Sequence, residues 1–143
     1  SMKFIYTLLL IAFANLVSAQ CSLPAPSSLT FTNIASCQLT ANWNTVANAT
    51  NYNVQYKIST AANWTVIGNV GLVTSYTISG LNANTTYKVR VAGVCANNSN
   101  GTFKSASKAT TSCSTPTNLA AGSITASSAT ISWTPLCGTS SFK

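Results

Sequence analysis

The side chains able to do chemistry in this chain are five cysteines (Cys21, Cys37, Cys95, Cys113 and Cys137) and seven Lys or Arg; there is no Asp, no Glu and no His. General acid and base work falls mainly to His, Asp or Glu, and carboxylates are the usual ligands of Ca²⁺ and Mg²⁺. Without them an enzyme is not expected. Paired-carboxylate glycoside hydrolysis is excluded for this chain, because both of its catalytic groups are Asp or Glu in the ordinary mechanism. A zinc site would have to be built from cysteine alone, and no Cys-x-x-Cys spacing occurs to favour a metal or redox role. The expectation is no catalytic residue, no metal and no cofactor, which leaves the cysteines for disulfides and the cations for binding or solubility.

The chain opens on SMKFIYTLLLIAFANLVSAQ, with Lys3 ahead of an apolar run from Phe4 to Ala14 and small residues at Val17, Ser18 and Ala19. Residues 1–19 read as a signal peptide cleaved after Ala19. The apolar run is about half of the roughly 20 residues a spanning helix needs, so no membrane span is expected in the mature chain. Gln20 separates the small residues from Cys21, whereas a bacterial lipid-attachment cysteine follows a small residue directly, so lipidation is not expected. A secreted, extracellular or cell-surface protein results, in a compartment where cysteines oxidise. An odd cysteine count also points to a partner outside this sequence.

Removal of Lys3 leaves Lys57, Lys88, Arg90, Lys104, Lys108 and Lys143 with no acid to offset them. Such a charge keeps a Thr-, Ser- and Asn-rich surface soluble, or attracts anionic polysaccharide at a cell surface.

The elements that must position these residues are short β-type runs between polar turns: QLTANW, NYNVQYKI, NWTVIG, TSYTISGL, TYKVRVAGV and TFKSASKAT. Helical periodicity is absent beyond the signal, so an all-β antiparallel sandwich is expected. In TYKVRVAGV, Tyr87, Val89 and Val91 share one face and Lys88 and Arg90 the other. The first set is core and the second solvent. Asn100-Gly101 is a short-hairpin signal between this strand and the last. Asn-x-Ser/Thr triplets at Asn48, Asn63, Asn84, Asn97 and Asn100 are glycan acceptors in a eukaryotic secretory pathway and composition in a bacterial one.

PSSLTFTNIASCQLTANW and PTNLAAGSITASSATISW repeat at an offset of 90, matching Pro26/Pro116, Leu29/Leu119, Ile34/Ile124 and Trp43/Trp133. A tandem array is implied, in which the second copy has only its first two strands before Lys143. Two strands do not bury a core alone. Further domains C-terminal to Lys143 are therefore expected.

Pro26, Leu29, Trp43, Tyr52 to Tyr56 and Trp64, followed by YTISGLNANTTYKVRV from Tyr76, resemble a fibronectin type III domain over residues 22 to 112. The most specific part is I-x-G-L-x-x-x-T-x-Y-x-V-x-V from Ile78 to Val91. The Cys-bearing form, with C-x-x-P opening each repeat, is similar to tandem copies in large secreted bacterial proteins. The resemblance implies an immunoglobulin-like antiparallel β-sandwich of about seven strands over 21–112, and the start of a second, incomplete copy over 113–143. Trp43, Tyr52, Val54, Leu81, Tyr87, Val89 and Val91 form its core, with the Tyr87 hydroxyl fastened near the preceding turn as a tyrosine corner.

The family topology puts Lys57, Lys88 and Arg90 on adjacent strands of one sheet, with Lys104 or Lys108 beside them; Trp64 either caps the core edge of a short strand or stacks on a sugar ring with Tyr52 or Tyr56 nearby. No aromatic ladder is expected between the basic residues, which argues against nucleic acid. The same topology sends Cys37 and Cys95 to opposite ends, so the resemblance favours a Cys21–Cys95 bridge. Cys37 could join Cys113, or Cys113 could pair with Cys137 or with a cysteine beyond Lys143. Some family members carry an Arg-Gly-Asp adhesion motif in the loop before the last strand; none occurs here.

The function expected is a noncatalytic spacer, display or adhesion module binding protein or glycan. The alternatives are the accessory region of a secreted hydrolase and a carbohydrate-binding module.

Overall fold

The computed structural model describes residues 22–113 and 117–134. The signal-peptide reading, Cys21, Pro116, Cys137 and Lys143 lie outside the described residues.

Nine strands follow one another without a helix among the described residues: β1 (Leu29–Thr32), β2 (Gln38–Trp43), β3 (Asn51–Ile58), β4 (Thr65–Asn69), β5 (Ser75–Ser79), β6 (Thr86–Val94), β7 (Lys104–Ala109), β8 (Thr117–Gly122) and β9 (Thr130–Thr134). The first seven form two antiparallel sheets, ordered β1-β2-β5 and β4-β3-β6-β7. Most of these strands carry the β-branched and aromatic residues that suit a half-buried pleated surface, whereas β7, KSASKA, has none and lies at a sheet edge. Turn residues with φ near +50 to +65°, Asn33, Asn48, Asn84 and Asn98, reverse the chain at its corners.

The inner faces of the two sheets interdigitate. Leu39, Ala41, Trp43 and Ile78 come from one sheet, and Tyr52, Val54, Tyr87, Val89 and Val91 from the other; Leu81 adds to them from the β5–β6 turn. All are buried, each contributing roughly 1.5 to 3 kcal/mol if it is a Val, Leu or Ile. The Trp43 and Tyr52 rings meet at 5.5 Å between centroids. The Tyr52 hydroxyl accepts from the Val46 N–H at 2.7 Å, whereas the buried indole N–H of Trp43 has no acceptor among the described residues. At the β5–β6 turn the Asn82 N–H donates to the Tyr87 hydroxyl at 2.9 Å.

The reversal between β6 and β7 is built at Cys95–Ser99 rather than at Asn100-Gly101. The Asn98 N–H donates to the Cys95 carbonyl and the Cys95 N–H to the Ser99 carbonyl, both at 2.9 Å. Asn98, at φ 62°, takes the left-handed position. Gly101 sits on the returning arm for a different reason: a Cβ there would meet the Cβ and carbonyl oxygen of Leu23 at 2.7 Å. Leu23 is fixed by its carbonyl accepting from the Thr102 N–H at 3.0 Å, and its side chain packs over Gly93. The amino-terminal segment is thereby sealed against the pole where β6 ends.

The β8–β9 hairpin repeats β1–β2 in register as well as in sequence. Thr30↔Asn42, Phe31↔Ala41 and Thr32↔Thr40 reappear at the same offset as Ala120↔Ser132, Ala121↔Ile131 and Gly122↔Thr130. The turns correspond too. Asn33 and Ser123 both have positive φ, and Ala35 N–H to Gln38 C=O matches Thr125 N–H to Ser128 C=O. Burial differs: Leu29 and Trp43 are 8% and 4% exposed, while Leu119 and Trp133 are 73% and 38% exposed.

Candidate functional site

The candidate site is the outer face of β4-β3-β6-β7, and strand register decides what stands on it. Lys57 is directly opposite Lys88, and Gln55 opposite Arg90. Across the next ladder Lys88 faces Ser107 and Arg90 faces Ser105. Because period-two geometry puts paired residues on one side, Lys57, Lys88 and Arg90 share the solvent face. Lys104 and Lys108 do not join them. They pair with the inward-facing Val91 and Tyr87, which gives them the core-side parity of an edge strand. The basic face is therefore three cations across two strands.

Arg90 is the centre of this face. Its guanidinium carbon lies 4.1 Å from the Trp64 ring centroid and 4.5 Å from that of Phe103, while Lys57 Nζ stands 5.2 Å from the Trp64 ring. Each such contact is worth about 0.5 to 1 kcal/mol at an exposed site and about 2 when desolvated. Arg90 Nε–H and one Nη2–H donate to Gln55 Oε1 at 2.9 and 2.6 Å. Gln55 is buried and its side-chain amide nitrogen donates to Asn53 Oδ1 at 3.0 Å, so the acceptor is itself held. Lys57 Nζ donates to the Ala61 carbonyl at 2.6 Å.

The expectation that no aromatic ladder lies between the basic residues is thus corrected: Trp64, Arg90 and Phe103 form one, drawn from the β3–β4 loop, β6 and the residue before β7. The rings are engaged by the guanidinium, which leaves that side of Trp64 unavailable to a sugar. Tyr52 and Tyr56 are not its neighbours. Tyr52 is a core residue, and Tyr56 shares the inward parity, 6.0 Å from the Tyr87 ring. Sequence does not single out Phe103; its odd-numbered parity with Ser105 and Ser107 is the signal that places it outward.

The cysteines occupy both poles. Cys37, half-buried, leads into β2, and its carbonyl accepts from the Leu81 N–H at 3.0 Å where the chain turns toward β6. Cys95 follows the far end of β6, about 30 Å away at the usual strand rise. Cys113 is exposed, on the segment that leaves the Cys37 pole through Thr111 N–H to Ala35 C=O; Cys37 and Cys113 are not bridged to each other. Among the described residues no group of three or more His, Cys, Asp or Glu could hold a metal ion. Nor is any helix among them long and apolar enough to cross a membrane.

A family profile described as "Fibronectin type III domain" matches residues 24–111. Among solved structures, a computationally redesigned β-sandwich protein superposes with a TM-score of 0.57 at 21% identity, covering 65% of this chain and 95% of that one. The third fibronectin III domain of human KIAA0343 protein gives 0.56 at 17% identity, covering 68% and 89%. The FN5 domain of Drosophila Lar gives 0.53 at 15%, covering 64% and 99%. No curated protein matches the chain.

Proposed function

This chain belongs to the fibronectin type III family, and from that premise we propose that it is a secreted, noncatalytic module that spaces or displays other domains or mediates adhesion at a cell surface. The family's domains are typically binding or spacer modules, and they commonly mediate protein interactions. The observation that carries the reading is the β8–β9 hairpin, which repeats the register and turn of β1–β2 while exposing Leu119 and Trp133. An apolar face left open in this way fits the first two strands of a second copy in an array. The domain boundaries are accordingly 21–112 and 113–143, after a signal over 1–19.

The oxidising setting is supported at the sealed pole. Leu23 packs on Gly93 and its carbonyl accepts from the Thr102 N–H, at the same pole where Cys95 follows β6, and this supports a bridge from Cys95 to the amino-terminal segment. We assign the partner of Cys95 as Cys21.

Reading the open reading frame beyond Lys143 tests the proposal. Further repeats and a surface-sorting tail are the expected outcome. A catalytic module there would instead make this the accessory region of a secreted hydrolase, the second reading that a chain without acids or His favours.

A further inference from the structure

We infer that Arg90, clamped between Trp64 and Phe103, is the oxyanion-binding residue of a site for acidic polysaccharide on the outer face of β4-β3-β6-β7, with Lys57 and Lys88 beside it. This deepens the adhesion part of the proposed function and rests on it. A guanidinium has five N–H groups, and only Nε–H and one Nη2–H are used, both by Gln55 Oε1. Both of these lie on one edge of the fork. The other edge, formed by Nη1 and the second hydrogen of Nη2, has no protein acceptor among the described residues. It has the geometry that receives a carboxylate or sulfate through two parallel bonds. The aromatic plates on either side fix the plane of the fork before any ligand arrives, which lowers the ordering cost of binding.

A second observation points the same way. Lys57 and Lys88 are directly cross-strand, an arrangement of like charges that destabilises a sheet. The chain contains no Asp or Glu that could offset it. Three cations whose strand positions lie about 5 to 8 Å apart therefore lack an internal counter-charge, and an external polyanion supplies one.

The chemistry of the surroundings selects a hydrophilic partner. Ser105 and Ser107 border the cations, and Val66 is the exposed large aliphatic on this face. The Trp64 and Phe103 rings are engaged by the Arg90 guanidinium, so what this face presents to a partner is mainly its charges and hydroxyls. A chain of uronate or sulfated sugars needs only charges and hydroxyl partners. In this site Trp64 is a positioning residue that aligns Arg90, not a platform for the sugar ring.

The test is binding of the full chain to polygalacturonate, dextran sulfate, neutral dextran and polyglutamate, by calorimetry at low and high salt. Binding to at least one acidic polysaccharide, weakened by salt, and none to dextran is expected; which polymer binds distinguishes carboxylate from sulfate. Arg90→Lys keeps the charge and removes the fork, and should weaken binding by about tenfold or more. Trp64→Phe, which keeps a plate, should retain binding. Lys88→Ser should weaken it more than Lys108→Ser, which removes the same charge from the other parity. Absence of binding to both acidic polysaccharides overturns the inference, as does Arg90→Lys binding like the parent. Polyglutamate binding as tightly as either polysaccharide overturns it in favour of an acidic protein partner. Should Arg90→Lys fail to fold, equal effects of Lys88→Ser and Lys108→Ser would overturn it instead. Failure here leaves the spacer reading intact, since that reading is decided by reading the open reading frame past Lys143.

Discussion

The Asn82 N–H donates to the hydroxyl of Tyr87, five residues later, at 2.9 Å, so the turn before β6 is fastened by the first inward residue of that strand. Thr110 closes the same corner, accepting from the Thr85 N–H at 3.0 Å and donating to the Asn82 carbonyl at 2.7 Å. Tyr87→Phe keeps the ring packing and removes only the hydroxyl. It should cost about 1 to 2 kcal/mol in urea unfolding, because a partly buried N–H is left without its acceptor. An unchanged midpoint would show that water replaces the hydroxyl at no cost.

Trp43 carries a buried indole N–H without an acceptor among the described residues, a defect of about 1 to 3 kcal/mol. Trp43→Phe removes that donor along with some volume, so its loss should stay below about 1.5 kcal/mol. Trp43→Ala should cost about 3 to 5 kcal/mol through the cavity it leaves against Tyr52. Equal losses in the two variants would mean that the N–H is satisfied in solution.

The pH response should be nearly flat. Stability changes with pH only where the unfolded chain binds a different number of protons from the folded one, and this chain has no Asp, Glu or His to do so in acid. Thermal unfolding of the chain should vary little from pH 7 to about pH 2, where only the terminal carboxylate titrates. A sharp acid transition would contradict this.

A non-reducing peptide map should join Cys21 to Cys95. The bridge closes a loop of about 75 residues and stabilises by on the order of 4 kcal/mol in the chain-entropy picture, so reduction should lower the unfolding midpoint clearly. A Cys37–Cys95 peptide would require the two poles to be one.

The core is legible in the sequence because it is written within single strands: the alternation of Tyr87, Val89 and Val91 with Lys88 and Arg90 needs no knowledge of any neighbour. The repeat is legible for a similar reason, since Leu29 and Trp43 recur as Leu119 and Trp133 at constant offset. The site is not. Whether Lys104 stands beside Lys88 or behind it depends on the pairing of Lys104 with Val91, set by the exact length of the β6–β7 reversal. Sequence misplaces that reversal, because Asn100-Gly101 has the composition of a tight turn but owes its glycine to the approach of Leu23. The stack of Trp64, Arg90 and Phe103 joins residues from three separate segments, reached diagonally across the sheet by long side chains. No period within one strand encodes it.

The seal formed by Leu23 has a mechanical consequence. The chain enters at the pole of the β6–β7 reversal and, after β7, leaves at the pole where Thr111 bonds to Ala35. A pull applied between these two points loads both terminal strands in shear, the four paired positions of β1 on β2, from Leu29↔Trp43 to Thr32↔Thr40, and the six of β7 on β6, from Thr86↔Ala109 to Val91↔Lys104. Bonds sheared together yield together, whereas bonds peeled from one end yield in turn. The module is thus strung as a tensile link, one whose resistance is concentrated in its two terminal strands.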